Sequence, residues 1–259
     1  MKTKRSFGWV PDRPDQRDYL YSAIRPVVRL PKKVDLREFC SSVENQEALG
    51  SCTANALVGN LEYLDRKDPS DTVCRRARRH TVSDYTDVSR LFIYYNERVL
   101  EDTVDYDSGA SLRDGIRTLR KQGACWEKTW PYAIERFDKK PPKKCYMEAK
   151  KHRIESYHRI NSLPEMLTCL AEGYPFVFGF TVYESFQSQR VAKTGVANMP
   201  KKKEKVLGGH AVMAAGYNQS QKRFLVRNSW GSQWGKDGYF TMPYEYLETL
   251  SADFWTIRK

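Results

Sequence analysis

Near residue 138 the hydrophobic pattern of this chain changes period, and that change restricts the fold more than any other feature. Upstream, Ala54, Leu57, Leu61 and Leu64 recur at helical spacing over residues 53–66, and residues 89–101 and 112–122 also read as helices, the second closed by Gly123. Beyond a basic, proline-rich stretch at 138–144 and a short helical pattern at 164–173, β-rich runs follow at 174–182, 210–217, 223–228 and 238–242, separated by Gly and Asn turns. No internal repeat is present in either half. The order predicts an α+β chain in three parts: an extended segment over residues 1–29, a helical lobe over 30–138 and a β-rich lobe over 139–259. At 259 residues the chain can bury a sizeable core. Residues 1–29 place Trp9, Pro11, Pro14 and Pro26 among charges and build no core of their own.

Cys52 heads the first helix, in the run Asn45-Gln46-Glu47-Ala48-Leu49-Gly50-Ser51-Cys52-Thr53-Ala54. A thiol at a helix N-terminus meets unpaired backbone N–H groups and the positive end of the macrodipole, which favours its thiolate. The chain later supplies Gly208-Gly209-His210-Ala211 and Arg227-Asn228-Ser229-Trp230-Gly231. Singly, each piece has an ordinary structural meaning: a buried thiol, a core histidine, a turn at Asn228, a loop glutamine at Gln46 and a core tryptophan at Trp230. Together they supply a nucleophile, its base and an orienting group. His80, His152 and His158 sit among charges and read as surface residues.

In order and spacing these residues resemble the papain-like cysteine proteases. Gln46 stands six positions before Cys52, as in that family, whereas Leu49 and Thr53 depart from its signature, which has a cysteine and an aromatic there. His210 and Asn228 follow Cys52 by 158 and 176 residues; that is farther than the family's roughly 130–150 and asks for insertions, which surface loops tolerate. The resemblance covers about residues 30–259, from Leu30-Pro31-Lys32-Lys33-Val34-Asp35-Leu36-Arg37 onward.

The resemblance implies a two-lobe fold, a helical left lobe with the cysteine and a β-barrel-like right lobe with the histidine, and the site in the cleft between them. It implies a cysteine endopeptidase working through a thioester. Cys52 would attack as thiolate and His210 would protonate the leaving nitrogen. Asn228 would orient His210, Gln46 would join the Cys52 backbone N–H at the oxyanion, and Trp230 would shield the His210–Asn228 contact. The main specificity pocket would lie beside Ser108-Gly109-Ala110-Ser111-Leu112, lined by Leu112, Gly179 and Ala211, with Gly109 and Trp230 also in substrate contact. Gly179 removes bulk there, so a roomy apolar pocket for a large hydrophobic residue is expected. Residues 1–29 occupy the place of a propeptide, without the helical pattern of the family's longer ones; they either cover the cleft as a latency peptide or strap the fold. The implied partners are protein or peptide substrates and that segment as an intramolecular inhibitor of a monomer. Two alternatives stay open: the same triad in an acyltransferase or deamidase, and a catalytically inactive protease-like binding protein.

Composition narrows the remaining classes. A net charge of +12 raises nucleic acid or an acidic surface as a partner. The lysines are scattered, however, over 139–144, 150–153 and 201–205, and no zinc-finger, RNP-type or homeodomain spacing accompanies them. They read as solvated surface, and no specific nucleic acid is expected. The absence of an 18-residue apolar run or a secretory signal predicts no membrane partner and, by default, a cytoplasmic protein with reduced cysteines. Leu49 removes one bridge that secreted relatives form; Cys40, Cys74, Cys125, Cys145 and Cys169 leave other pairings open. No Cys-x2-Cys or His-x3-His pair occurs, so neither metal nor cofactor is expected.

Overall fold

The computed structural model describes residues 6–23, 30–67 and 87–259. Cys74 and His80 lie outside the described residues. Helix α1 (Cys52–Lys67) is the central element, packed between α2 (Arg90–Glu101), α3 (Leu112–Lys121) and strand β4 (Val206–Asn218). The sequence pattern predicts one core face, but α1 is buried on every side from Cys52 to Asp65, because helices cover one flank and the sheet the other. Its polar side chains therefore need partners inside the protein. Thr53 donates to Glu97 at 2.6 Å, Asn55 donates to the Ser51 carbonyl at 2.9 Å, and Glu62 accepts from the Val88 N–H at 3.0 Å. Ser89 and Ser111 cap α2 and α3 by accepting from the backbone of Phe92 and Asp114. Gly123, at φ +86°, ends α3 by donating back to the Thr118 carbonyl at 3.1 Å.

Among the described residues seven antiparallel strands form the sheet: β1 (Lys33–Asp35), β2 (Ser156–Arg159), β3 (Phe176–Tyr183), β4, β5 (Arg223–Arg227), β6 (Tyr239–Pro243) and β7 (Ser251–Arg258). They lie in the order β2-β7-β3-β4-β5-β6, with β1 also on β4, so the segment preceding α1 contributes a strand to the sheet. The period-two alternation divides the core in two. Ala211, Met213 and Ala215 of β4 face the helices, while Val212 and Ala214 point the other way, toward Phe176, Phe178 and Phe180 of β3. Short helices α4 (Lys143–Ala149), α5 (Leu163–Ala171), α6 (Gln189–Thr194) and α7 (Tyr244–Leu250) complete the chain. None of the described helices is long and apolar enough to cross a membrane. Cys40, Cys52, Cys125, Cys145 and Cys169 are free, buried thiols.

Two surface assignments are corrected by packing. His152 is half-buried and accepts from the Trp126 indole at 2.7 Å, and half-buried His158 lies within β2, where burial and Arg258 lower its pKa. Residues 6–23 run over the molecule and end in a 3-10 turn at Tyr21–Ala23, with parallel bridges from Trp9 to Ala110 and from Leu20 to Arg159. Tyr21 is fully buried at the far end and donates to Glu172 at 2.6 Å.

Candidate active site

The first turn of α1 and the middle of β4 face each other across the boundary between helices and sheet. The Cys52 thiol is fully buried, with the backbone N–H groups of Ala211, Gly8 and Thr53 around it. Those donors favour the thiolate, as does the helix terminus, yet burial outweighs them and pushes the thiol up to about 11. In this covered state burial therefore works against the expected thiolate. His210 precedes Ala211 on β4 and is also buried. Its Nε2 donates to Asn228 Oδ1 at 2.8 Å, while the Trp230 indole stacks on the ring at 4.8 Å between centroids. Asn228, just past β5, is held by its own N–H to the Gly238 carbonyl at 3.0 Å, and its Oδ1 also accepts from the Ser229 N–H at 2.9 Å.

Gln46 is positioned by a stitch between two loops remote in sequence. Gln46 N–H donates to the Ser229 carbonyl and Gly231 N–H to the Glu44 carbonyl, both at 2.8 Å. Arg227 adds bonds to the carbonyls of Ser41 and Ser42. The Ser229 hydroxyl donates to Gln46 Oε1 at 2.5 Å, which fixes the amide so that Nε2 reaches the carbonyls of Leu49 at 3.0 Å and Ser6 at 3.5 Å. Ser229 was visible in sequence only as part of a turn; its one signal was a hydroxyl directly after Asn228.

Residues 6–10 occupy the groove between these elements. Phe7 lies edge-on to His210 and to Trp230, with centroids 6.3 and 6.4 Å away. Gly8 passes where no side chain fits, since a Cβ there would stand 1.7 Å from the Gly50 carbonyl oxygen. Ala110 N–H donates to the Gly8 carbonyl at 2.7 Å, Val10 N–H to the Ala110 carbonyl at 3.0 Å, and Trp9 N–H to the Gly209 carbonyl at 3.1 Å. The Trp9 indole covers Gly179 and Gly209, where added Cβ atoms would stand 1.9 and 2.6 Å from it. The space expected at Gly179 therefore exists, and this chain's own tryptophan fills it. Of the other residues assigned to substrate, Gly109 adopts φ +73° against Gly8, Ala211 turns its amide to the thiol, and Leu112 lies fully within the core on the helical side.

Beyond the groove the segment is fastened by a buried charge cluster that no sequence pattern marked. Asp12 accepts from the Arg113 N–H at 3.1 Å and the Trp255 indole at 2.8 Å, and its own N–H donates to Asp253 at 2.8 Å. Arg159 pairs with Asp253 at 3.0 Å and Asp18 at 3.2 Å, and Arg113 with Asp18 at 2.6 Å. Burial, reinforced by Asp253, pushes Asp12 up to about 6. Among the described residues no group of three or more His, Cys, Asp or Glu side chains could hold a metal ion.

The family model described as papain family cysteine protease matches residues 96–250, a span that includes His210 and Asn228 and begins after Cys52. An uncharacterized peptidase C1-like protein, L477, from Acanthamoeba polyphaga mimivirus is 41% identical over 283 aligned positions, covering 98% of this chain and 87% of its own length. Mouse pro-cathepsin H is 27% identical over 81% of this chain, which spans 59% of that precursor. Among solved structures, xylellain, a cysteine protease from Xylella fastidiosa, superposes with a TM-score of 0.85 at 39% identity, covering 100% of this chain and 98% of its own.

Proposed function

Because this chain belongs to the papain family of cysteine proteases, we propose that it hydrolyses internal peptide bonds through Cys52, His210 and Asn228, and that residues 6–23 hold it latent. The observation that carries the first part is the His210 Nε2–Asn228 Oδ1 bond under Trp230, one residue from the amide that meets the Cys52 thiol. With Nε2 committed to Asn228, Nδ1 is the nitrogen that exchanges a proton with Cys52. The thiolate adds to the substrate carbonyl, and the oxyanion is met by Gln46 Nε2 and the Cys52 backbone N–H. His210 then protonates the leaving nitrogen, and water, deprotonated by His210, hydrolyses the thioester. Asn228 is neutral and orients the imidazole without adding charge.

Latency is supported by what residues 6–10 present to the sulfur. The Gly8 N–H is among the backbone amides that act on the thiol, and the Gly8 carbonyl is engaged by the Ala110 N–H at 2.7 Å. The carbonyl of the segment that Gln46 Nε2 reaches, at 3.5 Å, belongs to Ser6, two residues before Gly8. The segment thus occupies the groove without offering a scissile bond. Displacing it re-exposes the sulfur, lowers the desolvation that keeps the thiol protonated, and frees the pocket at Gly179. An epoxide that alkylates active thiols tests this: Cys52 should be labelled slowly in the intact chain, quickly and stoichiometrically once the segment is displaced, and not at all in His210→Ala. Equal labelling of covered and displaced forms would remove latency, and no labelling of either would remove the nucleophile.

The Trp9 seat indicates the substrates. With Gly179 and Gly209 leaving room for an indole, peptides carrying a large aromatic or aliphatic residue for that pocket are expected to be cut at least about tenfold faster than alanine analogues. A peptide-library profile dominated by small or acidic residues at that position would contradict it.

Docking of the segment carries a pH dependence whose sign follows from Asp12. Its pKa is 3.8 when free and about 6 when docked, so the docked form holds a proton that the free form has lost between these values. Docking is therefore strongest below pH 4, weakens as pH rises to about 6 and is level above, by as much as roughly a hundredfold in all. Amide hydrogen exchange at Trp9 and Val10, corrected for intrinsic rates, should show more protection at pH 4.5 than at pH 7, and Asp12→Asn should flatten the difference. Greater protection at pH 7 would reverse the assignment.

A further inference from the structure

The substrate groove has two backbone walls, and one carboxylate joins them. Asp107 accepts from the Gly50 N–H through both carboxylate oxygens at 3.0 Å each, and its Oδ1 also accepts from the Tyr94 hydroxyl. Tyr94 in turn accepts from the Gly109 N–H at 3.1 Å. Gly50 begins the turn that sets Cys52 and its backbone N–H; Gly109 leads into Ala110, whose N–H and carbonyl pair with the backbone of Gly8 and Val10 in the groove. Where Gly8 threads between these walls, a Cβ on Gly8 would meet the Gly50 oxygen at 1.7 Å and a Cβ on Gly109 would meet the Gly8 oxygen at 2.0 Å. The width of that slot is thus tied to one carboxylate and one phenol.

Resting on the peptidase reading of Cys52, we infer that Asp107 and Tyr94 are positioning residues, a non-covalent clamp that sets the nucleophile turn against the wall that pairs with substrate backbone. Leu49, next to Gly50, carries no thiol for a bridge, so no covalent tie fixes this turn from that position. Tyr94 lies on α2, fully buried, and a rigid helix therefore anchors the clamp. Burial and the Asp107 charge raise the pKa of the phenol, which keeps it protonated and able to donate to the carboxylate while accepting from Gly109. The clamp touches neither sulfur nor imidazole. Its loss should spoil the alignment of the substrate carbonyl with Cys52 and leave the thiol itself unchanged.

The test uses the full chain carrying Trp9→Ala, so that the groove is open to peptide. Asp107→Ala in that background is expected to lower kcat for a peptide by tenfold to a hundredfold, the penalty typical of a misplaced reactant. KM should change less, and alkylation of Cys52 by iodoacetamide, which uses no backbone pairing, should stay within about threefold. Asp107→Asn, which keeps an acceptor for Gly50, should recover most of the rate, and Tyr94→Phe should lose an intermediate amount. Peptide turnover within threefold of the parent in both Asp107→Ala and Tyr94→Phe overturns the clamp, as does a parallel fall in alkylation. Should Asp107→Ala not fold, Tyr94→Phe and Asp107→Asn decide alone on the same criteria. If the parent turns over no peptide, the peptidase reading fails and hydrogen exchange in the otherwise unsubstituted chain judges the clamp. Tyr94→Phe should there speed exchange at Gly109 at least about tenfold, and unchanged exchange overturns it.

Discussion

Cys52→Ala and His210→Ala are each expected to lower peptide hydrolysis by a factor of about a thousand or more, with the double variant hardly slower than either. In the proposed mechanism sulfur and imidazole act as one unit. Without the His210 imidazole to take its proton, the Cys52 sulfur stays a thiol near neutral pH, and the thiolate is the nucleophile. Without the sulfur, the imidazole, Gln46 and the oxyanion amides have no bond to complete. Gln46→Ala is a different kind of loss: it removes the proposed oxyanion donor, which Ser229 orients, and should cost roughly a hundredfold in kcat, adding to other changes rather than being hidden by them. The measurement is kcat/KM on a fluorogenic peptide, with groove access supplied by Trp9→Ala. Additive losses at Cys52 and His210, or more than a tenth of the rate surviving in Cys52→Ala, would mean that the chemistry runs elsewhere.

What the sequence disclosed about this site was whatever depends on near neighbours in the chain. Cys52 at the head of an amphipathic helix, Gln46 six residues upstream, and Asn228 beside Trp230 are each defined within about ten residues, and so were the periods of α1 to α3 and of β3 to β6. What stayed hidden depends on which distant segments meet. The expected thiolate was a sound reading of a helix terminus, but desolvation under residues 6–10 is a tertiary effect and outweighs the dipole. Gly179 showed that a side chain was missing and not that Trp9, 170 residues earlier, would take the space. The Asp107–Gly50 and Tyr94–Gly109 bonds leave no local trace, because an aspartate in a loop and a tyrosine in a helix are ordinary residues until the fold aims them. Strands β2 and β7 also escaped: Ser-Tyr-His-Arg shows no apolar alternation over 156–159, and β7 directly follows the helix of 244–250 with no turn between them.

Trp9→Ala is expected to raise the peptidase rate of the full chain by about thirtyfold. The indole is the one large side chain of the segment seated over Gly179 and Gly209, and its removal leaves three backbone hydrogen bonds to hold residues 8–10 in the groove. Trp9 is half-buried, so its truncation costs about 2 kcal/mol, less than that of a core tryptophan, which lowers docking at the cleft end by roughly thirtyfold. The distal anchors through Asp12, Asp18 and Tyr21 are untouched, so the segment remains attached while its groove end opens. Peptide hydrolysis and Cys52 alkylation should then rise together. Gly179→Ala separates this from a general loosening of the fold. A methyl at Gly179 would stand 1.9 Å from the indole and must also displace Trp9, yet it narrows the pocket it uncovers. Alkylation should increase in that variant as in Trp9→Ala, whereas cleavage of peptides with large aromatic residues should gain far less. If Trp9→Ala leaves both rates unchanged and lowers only the melting temperature, residues 6–23 act as a strap for the fold and not as a guard of the site.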